Sequence, residues 1–406
     1  MPTSYLPPET PPECYPKGFR GAGMFCGIKN SGKRDLSLIV SDVPSLGAGM
    51  FTLNRFAAAP VEVSREIVAN GQVRGIICNS GVANACTGPQ GMADARTMVR
   101  LTGEALGVDA GEIAVCSTGV IGECLPMDVV EKGVRAIATQ LAPDAWTDVV
   151  DAMRTTDAFP KMVGANWQQD ESDIRLLGLG KGGGMIHPNM ATMLAFMLTD
   201  CAIELDALRA ALKDAVAASF NSITVDGDTS TNDTVLVLAN GQAGNKPITL
   251  DSPAYETFRR QLTDSCVALG KSIVRDGEGA TKIGIITVKG ATNNEDARRA
   301  AVAVGRSPLV KTALYGSDPN WGRIVCAVGY SGAEVDVERC SVSLGDQLML
   351  ENGLPLEVDK ARAAAHLEQP EALIEIDLGL GGPGTATVYT SDLTHDYIQL
   401  NAFYHT

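Results

Sequence analysis

Short apolar runs that end in Gly, Ser or Asn turns recur along the chain and predict β-strands. Six of them are clear, at residues 75–80, 112–119, 234–241, 283–290, 373–381 and 385–392. Between these runs lie blocks with helical spacing. The clearest is 203–220, where Leu205, Leu208, Leu212 and Val216 repeat on one face. The pattern therefore predicts a chain built from both kinds of element.

The order of these elements bears on the fold class. Strands and helices alternate irregularly, and near the carboxyl end several predicted strands follow one another directly, at 324–357 and 373–390. Regular alternation would indicate a doubly wound parallel sheet, whereas direct succession of strands favours antiparallel or mixed sheets. We therefore expect an α+β protein with mixed sheets.

Composition and charge exclude several classes of function. The 406 residues carry a net charge of −15 without a local run of Lys/Arg, so we expect no nucleic-acid partner. No apolar stretch approaches the roughly 18 to 20 residues that span a bilayer, so we expect no membrane partner. The proline-rich stretch 1–19 lacks the apolar core of a secretory signal. These features predict a cytoplasmic protein.

The ten cysteines and four histidines offer little for a metal site. None of the cysteines forms a Cys-x-x-Cys pair, and many lie in apolar segments. We therefore expect no metal and no disulfide framework, with most cysteines reduced and buried.

A glycine-rich segment, KGGGMIHPNMATMLAF at 181–196, could suggest a nucleotide site. Gly178, Gly180 and Gly183 fit G-x-G-x-x-G, and Asp200 follows at a suitable distance. However, Pro188 comes too soon for the long helix that would hold a pyrophosphate, and no full buried strand is evident before the first glycine. The segment is better explained as a hinge or turn.

Three other segments combine polar residues with turns. In EIAVCSTGVIG a strand ends in Ser117–Gly119, a turn whose N–H groups could form an oxyanion hole. In 222–241 the acidic residues lack EF-hand spacing and predict a polar loop that enters a strand. The third, RDGEGATK at 275–282, is typical of a solvated charged turn.

The bond between Ala191 and Thr192 is a candidate for self-cleavage. A threonine freed at an amino terminus can use its own α-amine as the base, and the unperturbed pKa of that amine is near 8. The residues permit this chemistry without requiring it, since the start of a buried strand explains the same pattern.

Several blocks of the sequence together resemble one family, the ornithine acetyltransferases, also called glutamate N-acetyltransferases, of arginine biosynthesis. In family order they are NSGVANACTG, VCSTGVIGE, TTDAFPK, KGGGMIHPNMATMLAF, FNSITVDGDTSTNDT, RDGEGATK, GSDPNWGRI and DLTHDYIQLNAFYHT. The resemblance extends from about residue 17 to the carboxyl terminus. A near-continuous match around one threonine is more specific than any isolated motif above.

This resemblance implies an autocleaving enzyme with a layered α/β/β/α-type sandwich. The precursor would cut itself between Ala191 and Thr192, and the fragments 1–191 and 192–406 would stay intertwined and assemble as a heterotetramer. Thr192 would take the acetyl group from N2-acetyl-L-ornithine and pass it to L-glutamate in ping-pong fashion. No cofactor is implied, and it stays open whether acetyl-CoA is a second acetyl donor.

The resemblance also assigns roles to individual residues. Thr118 and Gly119 match the oxyanion-hole pair. The residues that match substrate contacts are Thr155 or Thr156, which the sequence does not separate, Lys181 for an α-carboxylate, Glu278 for an ammonium group, and Asn401 with Thr406 at the carboxyl terminus. His187 receives no catalytic role.

Two other classes of function remain as alternatives. An amino-terminal-nucleophile hydrolase or aminopeptidase would share the self-cleavage but deliver the acyl group to water. A nucleotide-binding or scaffold protein would use the glycine run and stay uncut. The products of the reaction and the mass of the purified chain distinguish the three.

Overall fold

The computed structural model describes residues 10–187 and 193–403, and these ranges contain sixteen strands and eleven α-helices. The strands are β1 (Phe19–Met24), β2 (Leu36–Ser41), β3 (Leu46–Phe51), β4 (Gly75–Val82), β5 (Ile113–Val120), β6 (Lys161–Gln169), β7 (Ser172–Lys181), β8 (Leu194–Thr199), β9 (Ile223–Thr224), β10 (Thr234–Ala239), β11 (Ile283–Ala291), β12 (Ser341–Leu344), β13 (Gln347–Glu351), β14 (Leu354–Pro355), β15 (Glu371–Asp377) and β16 (Gly384–Ser391).

The helices connect these strands at irregular intervals. They are α1 (Ala59–Ala69), α2 (Gly88–Leu106), α3 (Met127–Ile137), α4 (Trp146–Met153), α5 (Leu205–Ala218), α6 (Pro253–Arg275), α7 (Asn294–Arg306), α8 (Pro308–Tyr315), α9 (Trp321–Gly329), α10 (Lys360–Leu367) and α11 (His395–Phe403). No helix in the described ranges combines the length and the apolar character that crossing a membrane requires.

The strands form three mixed sheets. Their orders are β1-β2-β4-β5, then β3-β10-β8-β7-β6, and finally β14-β13-β12-β15-β11-β16-β9. Parallel pairs, such as β4 with β5 and β8 with β10, occur beside antiparallel ones, such as β7 with β8. The predicted α+β class with mixed sheets is confirmed.

The central strands β8 and β10 of the five-stranded sheet are buried on both faces. In β8, Leu194, Phe196 and Leu198 belong to a core shared with the four-stranded sheet. The alternate residues Ala195 and Met197 pack into a second core with α5 and α6. Strands buried on both sides are apolar throughout, which explains why these segments show no alternation. The order helix, sheet, sheet, helix is that of the predicted α/β/β/α sandwich.

The seven-stranded sheet adds a layer that the predicted two-sheet sandwich did not include. Helix α6 packs against β9, β11 and β16, while α7 covers β11 and β16 in a third core. The second helical layer is therefore shared between two sheets.

Two local predictions were wrong. Residues 324–329 belong to α9, in which Ile324, Ala327 and Val328 are buried at helical spacing, and strands begin only at β12. Gly178 and Gly180 lie inside β7 and not in a hinge. A Cβ on Gly180 would lie 3.0 Å from Leu269 of α6, so the glycine permits close packing of the helix on the sheet.

The five-stranded sheet contains strands from both sides of residue 192. β7 precedes this residue and β8 follows it, and the two strands pair directly, with Lys181 opposite Leu194. β3 lies far earlier in the chain, yet it pairs with β10. The chain on either side of this point therefore forms one folded unit.

The ten cysteines are all free. Six of them are buried, at positions 14, 78, 116, 201, 266 and 340, and burial raises the pKa of the Cys78 thiol to about 12. A buried thiol of this kind stays protonated and behaves as a small apolar group, as predicted.

Candidate active site

Thr118 and Gly119 occupy the carboxyl end of β5, next to the end of β4. The register places Gly119 opposite Gly81. Gly119 has φ +134°, and a Cβ there would lie 2.2 Å from the carbonyl carbon of Gly81. Only glycine fits this position, which keeps the backbone of the turn accessible. The Thr118 side chain is buried and forms no hydrogen bond with any described residue.

Four buried ionised side chains form the charge cluster, defined as Asp157, Lys161, Lys181 and Asp276. Lys161 Nζ lies 2.7 Å from Asp157 Oδ1 and 2.5 Å from Asp276 Oδ2. Lys181 Nζ lies 3.6 Å from Asp157 Oδ2. All four residues are at most 6% exposed. Two positive and two negative charges cancel, which makes their burial tolerable.

Asp157 is the centre of the charge cluster. Burial alone would raise its pKa, but Lys161, Lys181 and the N–H of Gly182 at 2.6 Å hold this pKa well below its usual range. The carboxylate therefore stays ionised, and through Gly182 it fixes the backbone where β7 ends. The charge cluster therefore holds the start of the glycine segment in place through the bond to Gly182.

The threonines of the TTD block lie beside the charge cluster. Lys181 Nζ donates a hydrogen bond of 2.8 Å to Thr155 Oγ1, while a Cβ on Gly183 would lie 3.2 Å from Thr156 Oγ1. Both threonines line a cavity of about 930 Å³. Thr155 is thus engaged by the lysine, and the Thr156 hydroxyl faces the glycine backbone.

Glu278 and Asn401 meet on the wall of the same cavity. Asn401 Nδ2 donates to Glu278 Oε2 at 2.9 Å, and the Glu278 N–H donates to the carbonyl of Gly183 at 3.0 Å. A Cβ on Gly184 would lie 2.7 Å from the Glu278 carboxylate. The glycine run therefore gives Glu278 the space it needs beside the backbone of the segment.

Helix α11 forms the outer side of this cavity. Asp396, Leu400 and Asn401 line it, while Thr394, just before the helix, donates to the Gly279 carbonyl at 2.8 Å. No residue of the helix is fully buried and only Tyr397 is half-buried, so these polar contacts hold it over the cavity without a buried apolar face.

Two consecutive residues connect the strand end at Thr118 with the start of β8. Asn232 Nδ2 donates to the carbonyl of Ser117 at 2.8 Å. Asp233 Oδ1 accepts the N–H of Met193 at 2.9 Å. Position 193 is thereby fixed near the β5 turn. Burial raises the pKa of Asp233 well above its usual range, and its Oδ2 has no hydrogen-bond partner within the described ranges.

Lys29 extends the basic side of the site. A Cβ on Gly81 would lie 3.0 Å from the Lys29 side chain, so this lysine adjoins the β4–β5 turn. Its Nζ donates to the Arg154 carbonyl at 2.6 Å. Burial, with Lys181 nearby, lowers the pKa of Lys29 to about 8.

Three of the predicted site residues, Ala191, Thr192 and Thr406, lie outside the described ranges. The other seven are present in two groups. Thr155, Thr156, Lys181, Glu278 and Asn401 surround or adjoin the cavity, and Thr118 with Gly119 forms the turn of β5.

The sequence did not indicate Asp157, Lys161 or Asp276 as members of the site. Asp276 is 4% exposed, so the prediction of a solvated turn for this block was wrong. The available signal was that Asp157 and Lys161 lie within TTDAFPK and Asp276 within RDGEGATK, next to residues that were singled out. By contrast, the polar loop predicted within 222–241 does lead into a strand, β10.

The fold and the site together indicate an acyltransferase that acts on a small amino acid. The cavity is lined by the carboxylates of Glu278 and Asp396, by Asp157 and Asp276 of the charge cluster and by Lys33, and Lys181 lies behind its threonine wall. Such a cavity suits a small zwitterionic amino acid, and a glycine turn such as that of β5 suits acyl transfer.

The chain belongs to the ArgJ family, whose model matches residues 20–406. It is 48% identical over 393 residues to the arginine biosynthesis bifunctional protein ArgJ of Symbiobacterium thermophilum, covering 96% of this chain and 98% of that protein. It is therefore a glutamate N-acetyltransferase of arginine biosynthesis, as the resemblance implied.

One solved structure shows the same relationship, and a second matches in sequence. The crystal structure of ArgJ from Bacillus halodurans is 44% identical with a TM-score of 0.51, covering 52% of this chain and 100% of the solved chain. An ornithine acetyltransferase of Mycobacterium tuberculosis, solved with ornithine, is 39% identical with a TM-score of 0.40, covering 43% and 92%.

Proposed function

We propose that Thr192 is the nucleophile and that the chain cuts itself between Ala191 and Thr192. The observation that carries the proposal is the link formed by Asn232 and Asp233. It holds Met193, the residue after the proposed nucleophile, near the turn that contains Thr118. A cut at this bond leaves the fragments 1–191 and 192–406 joined through the five-stranded sheet.

The proposed reaction has two acyl-transfer steps. The Thr192 hydroxyl attacks the acetyl carbonyl of N2-acetyl-L-ornithine while its proton passes to the α-amine of Thr192. The amide C–N bond then breaks, and ornithine leaves with that proton. In the second step the glutamate amine attacks the acetyl ester, and the hydroxyl of Thr192 is restored as acetylglutamate departs.

Both tetrahedral intermediates carry a negative oxygen that needs fixed donors. We assign this role to Thr118 and Gly119. The support is the Gly119 conformation, which excludes a side chain beside the turn, and the Thr118 hydroxyl, which has no other partner in the described ranges. Donors fixed before the reaction stabilise charge without reorganising.

The substrate contacts follow from charge. Glu278, oriented by Asn401, suits the side-chain ammonium of ornithine. Lys181, which donates to Thr155 and lies 3.6 Å from Asp157, suits a carboxylate together with Thr156. We also assign Thr406 a substrate contact, like Asn401, as the family resemblance implies. The acidic and basic sides of the cavity thus distinguish the two ends of an amino acid.

The remaining expectations concern assembly, cofactors and compartment. We propose that two copies of each fragment form a heterotetramer in the cytoplasm. Acyl transfer between amino acids requires no metal or resident cofactor, and acetyl-CoA enters, where it is used, only as a second donor. The free buried cysteines fit a reducing compartment. Light scattering on the purified protein tests the assembly.

The decisive experiment joins intact mass with an acetyl-transfer assay. The wild type is expected as two fragments that divide before Thr192, with labelled acetyl passing from acetylornithine to glutamate. Thr192→Ala is expected as one chain of 42.5 kDa without transfer. The matched control is Thr147→Ala, an exposed threonine on α4, which should be cut and active. An uncut wild type with full activity contradicts the mechanism.

The same assay separates the hydrolase alternative. A hydrolase would release free acetate whether or not glutamate is present, whereas the transferase requires glutamate and yields acetylglutamate. In support of the cut, the solved Bacillus halodurans chain is covered entirely by 52% of this chain. A fragment such as 192–406 is likewise slightly more than half of the chain.

A further inference from the structure

A second cavity, of about 600 Å³, lies away from the active site and shares no lining residue with it. We name it the arginine cavity, defined by His187, Arg298, Arg306 and Ser307. It lies among α7, the start of α8 and the last described residues before position 188. Its size is within the usual range for small-molecule sites.

The positive charge of the arginine cavity is largely uncompensated. Arg306 forms no ion pair or hydrogen bond with any described residue. Arg298 donates one N–H to the Asn221 carbonyl at 2.5 Å but has no carboxylate partner within the described ranges. The carboxylate of Glu295 also lines the cavity, but its ion-pair partner is the neighbouring Arg299 at 3.7 Å, which also lies 3.2 Å from Asp296. In a chain with a net charge of −15, two unpaired guanidinium groups at one cavity are unusual.

The positive charge of the cavity affects the pKa of His187. Burial, followed by the charges of Arg306 and Arg298, lowers its pKa to about 4. The imidazole is therefore neutral near pH 7, and its Nδ1 lies 3.1 Å from Thr224 Oγ1. A neutral ring adds a hydrogen-bonding group to the cavity while the net charge stays on the arginines.

The start of α8 adds a partial positive charge rather than a row of free donors, because Pro308 has no N–H and Ser307 accepts the N–H of Val310. Ser307 caps this helix by accepting the N–H of Val310 at 3.3 Å, and Ser307 and Pro308 both line the cavity. The first N–H groups of a helix carry a partial positive charge and bind anions. The helix terminus and the two arginines are independent features, and both favour a negative ligand.

We propose that the arginine cavity binds a phosphate-bearing small molecule. A phosphate monoester carries about −1.5 to −2 charges at pH 7, which matches two unpaired guanidinium groups. Its several oxygens can accept paired N–H donors from both arginines. A free amino acid such as glutamate carries an ammonium group that the same arginines would repel. This site is separate from the proposed acetyl transfer and does not depend on it.

The test is calorimetric titration of the purified full-length protein, at low salt and in a buffer without phosphate or sulfate. The ligands are inorganic phosphate, pyrophosphate, coenzyme A and L-glutamate. We expect saturable binding of at least one phosphate ligand. Arg306→Gln should weaken it by about tenfold or more, as expected for loss of a charge-assisted bidentate contact. Arg298→Gln/Arg306→Gln should abolish it.

The matched control is Arg260→Gln, which removes the same charge from the exposed side of α6 and should bind like the wild type. Acetyl transfer should be unchanged in Arg306→Gln, because this exposed residue lies outside the active site. Arg306→Gln alone suffices if the double variant fails to fold.

Tighter binding of coenzyme A than of pyrophosphate, with the same dependence on Arg306, would identify a nucleotide source of the phosphate. Equal or weaker binding of coenzyme A would identify a free phosphate or diphosphate. Absence of phosphate binding overturns the proposal, as does binding that is equal in wild type and Arg306→Gln.

Discussion

The charge cluster and the arginine cavity both contain basic side chains, but only those of the charge cluster have carboxylate partners. In the charge cluster, Lys161 is fully buried between two carboxylates at 2.7 and 2.5 Å. In the arginine cavity, Arg306 is exposed and has no partner among the described residues. Compensated charge fixes the backbone around the active site, whereas uncompensated charge is available to a ligand. The following experiments test this contrast.

The largest effect is expected from Lys161→Met. It leaves Asp157 and Asp276 buried with only Lys181 nearby, and breaking a buried pair costs about 3–5 kcal/mol. Chemical denaturation at one protein concentration measures the loss in the free energy of unfolding. Adding Asp276→Asn should recover part of it, and the exposed Lys132→Met is the control. An unchanged denaturation midpoint for Lys161→Met would show that the cluster does not support the fold.

The second prediction concerns Asp226, which holds the segment between the two regions through the N–H groups of Met185 and Ile186 at 2.6 and 2.9 Å. Burial raises the pKa of Asp226 to about 6, above the value of about 3.9 in unfolded chains. The folded state therefore favours the protonated form. Its contribution to stability is complete below pH 4 and is lost as the pH rises through 6, by about 3 kcal/mol in total.

Asp226→Asn should remove this part of the pH dependence, and the exposed neighbour Asp228→Asn should retain most of it, because Asp228 makes only the smallest contribution to the raised pKa of Asp226. The measurement is the denaturation midpoint of each variant at pH 4.5 and pH 7.5. A wild type and an Asp226→Asn variant with the same pH dependence would contradict the assignment.

A third, smaller effect is expected from Asn401→Ala. Loss of the 2.9 Å hydrogen bond frees the Glu278 carboxylate, and the KM for acetylornithine should rise by up to about tenfold while kcat changes little. Ile398→Ala, an exposed residue on the same helix that does not line the cavity, is the control. A fall in kcat with an unchanged KM would instead indicate a role in the transition state.

The smallest effect on stability is expected from Arg306→Gln. Removing an exposed, unpaired charge should change the free energy of unfolding by no more than about 0.5 kcal/mol. Thermal denaturation of the variant beside the wild type measures this. A large loss would show that Arg306 is structural, which would remove the contrast with Lys161.

The strands, the main helices and the β5 turn were predictable because each depends on residues close in sequence. The charge cluster was not predictable in this way. Lys161 and Asp276 are 115 residues apart, and only the tertiary fold brings them together. The arginine cavity was missed for the same reason, since arginines in a helical block normally face solvent. A short apolar run such as 324–329 is ambiguous between strand and helix until its neighbours are known.

The pairing of β7 with β8 bears on the order in which the chain folds and is cut. In the cut form that we propose, the two fragments share one core, and refolding from denaturant is a bimolecular reaction. The intact precursor, in contrast, closes the same sheet within a single chain, where the effective concentration of its two halves is high. Refolding yield should therefore depend on protein concentration for the cut form alone. The chain would therefore fold before it is cut. The active, cut enzyme would keep the structure that the uncut precursor formed.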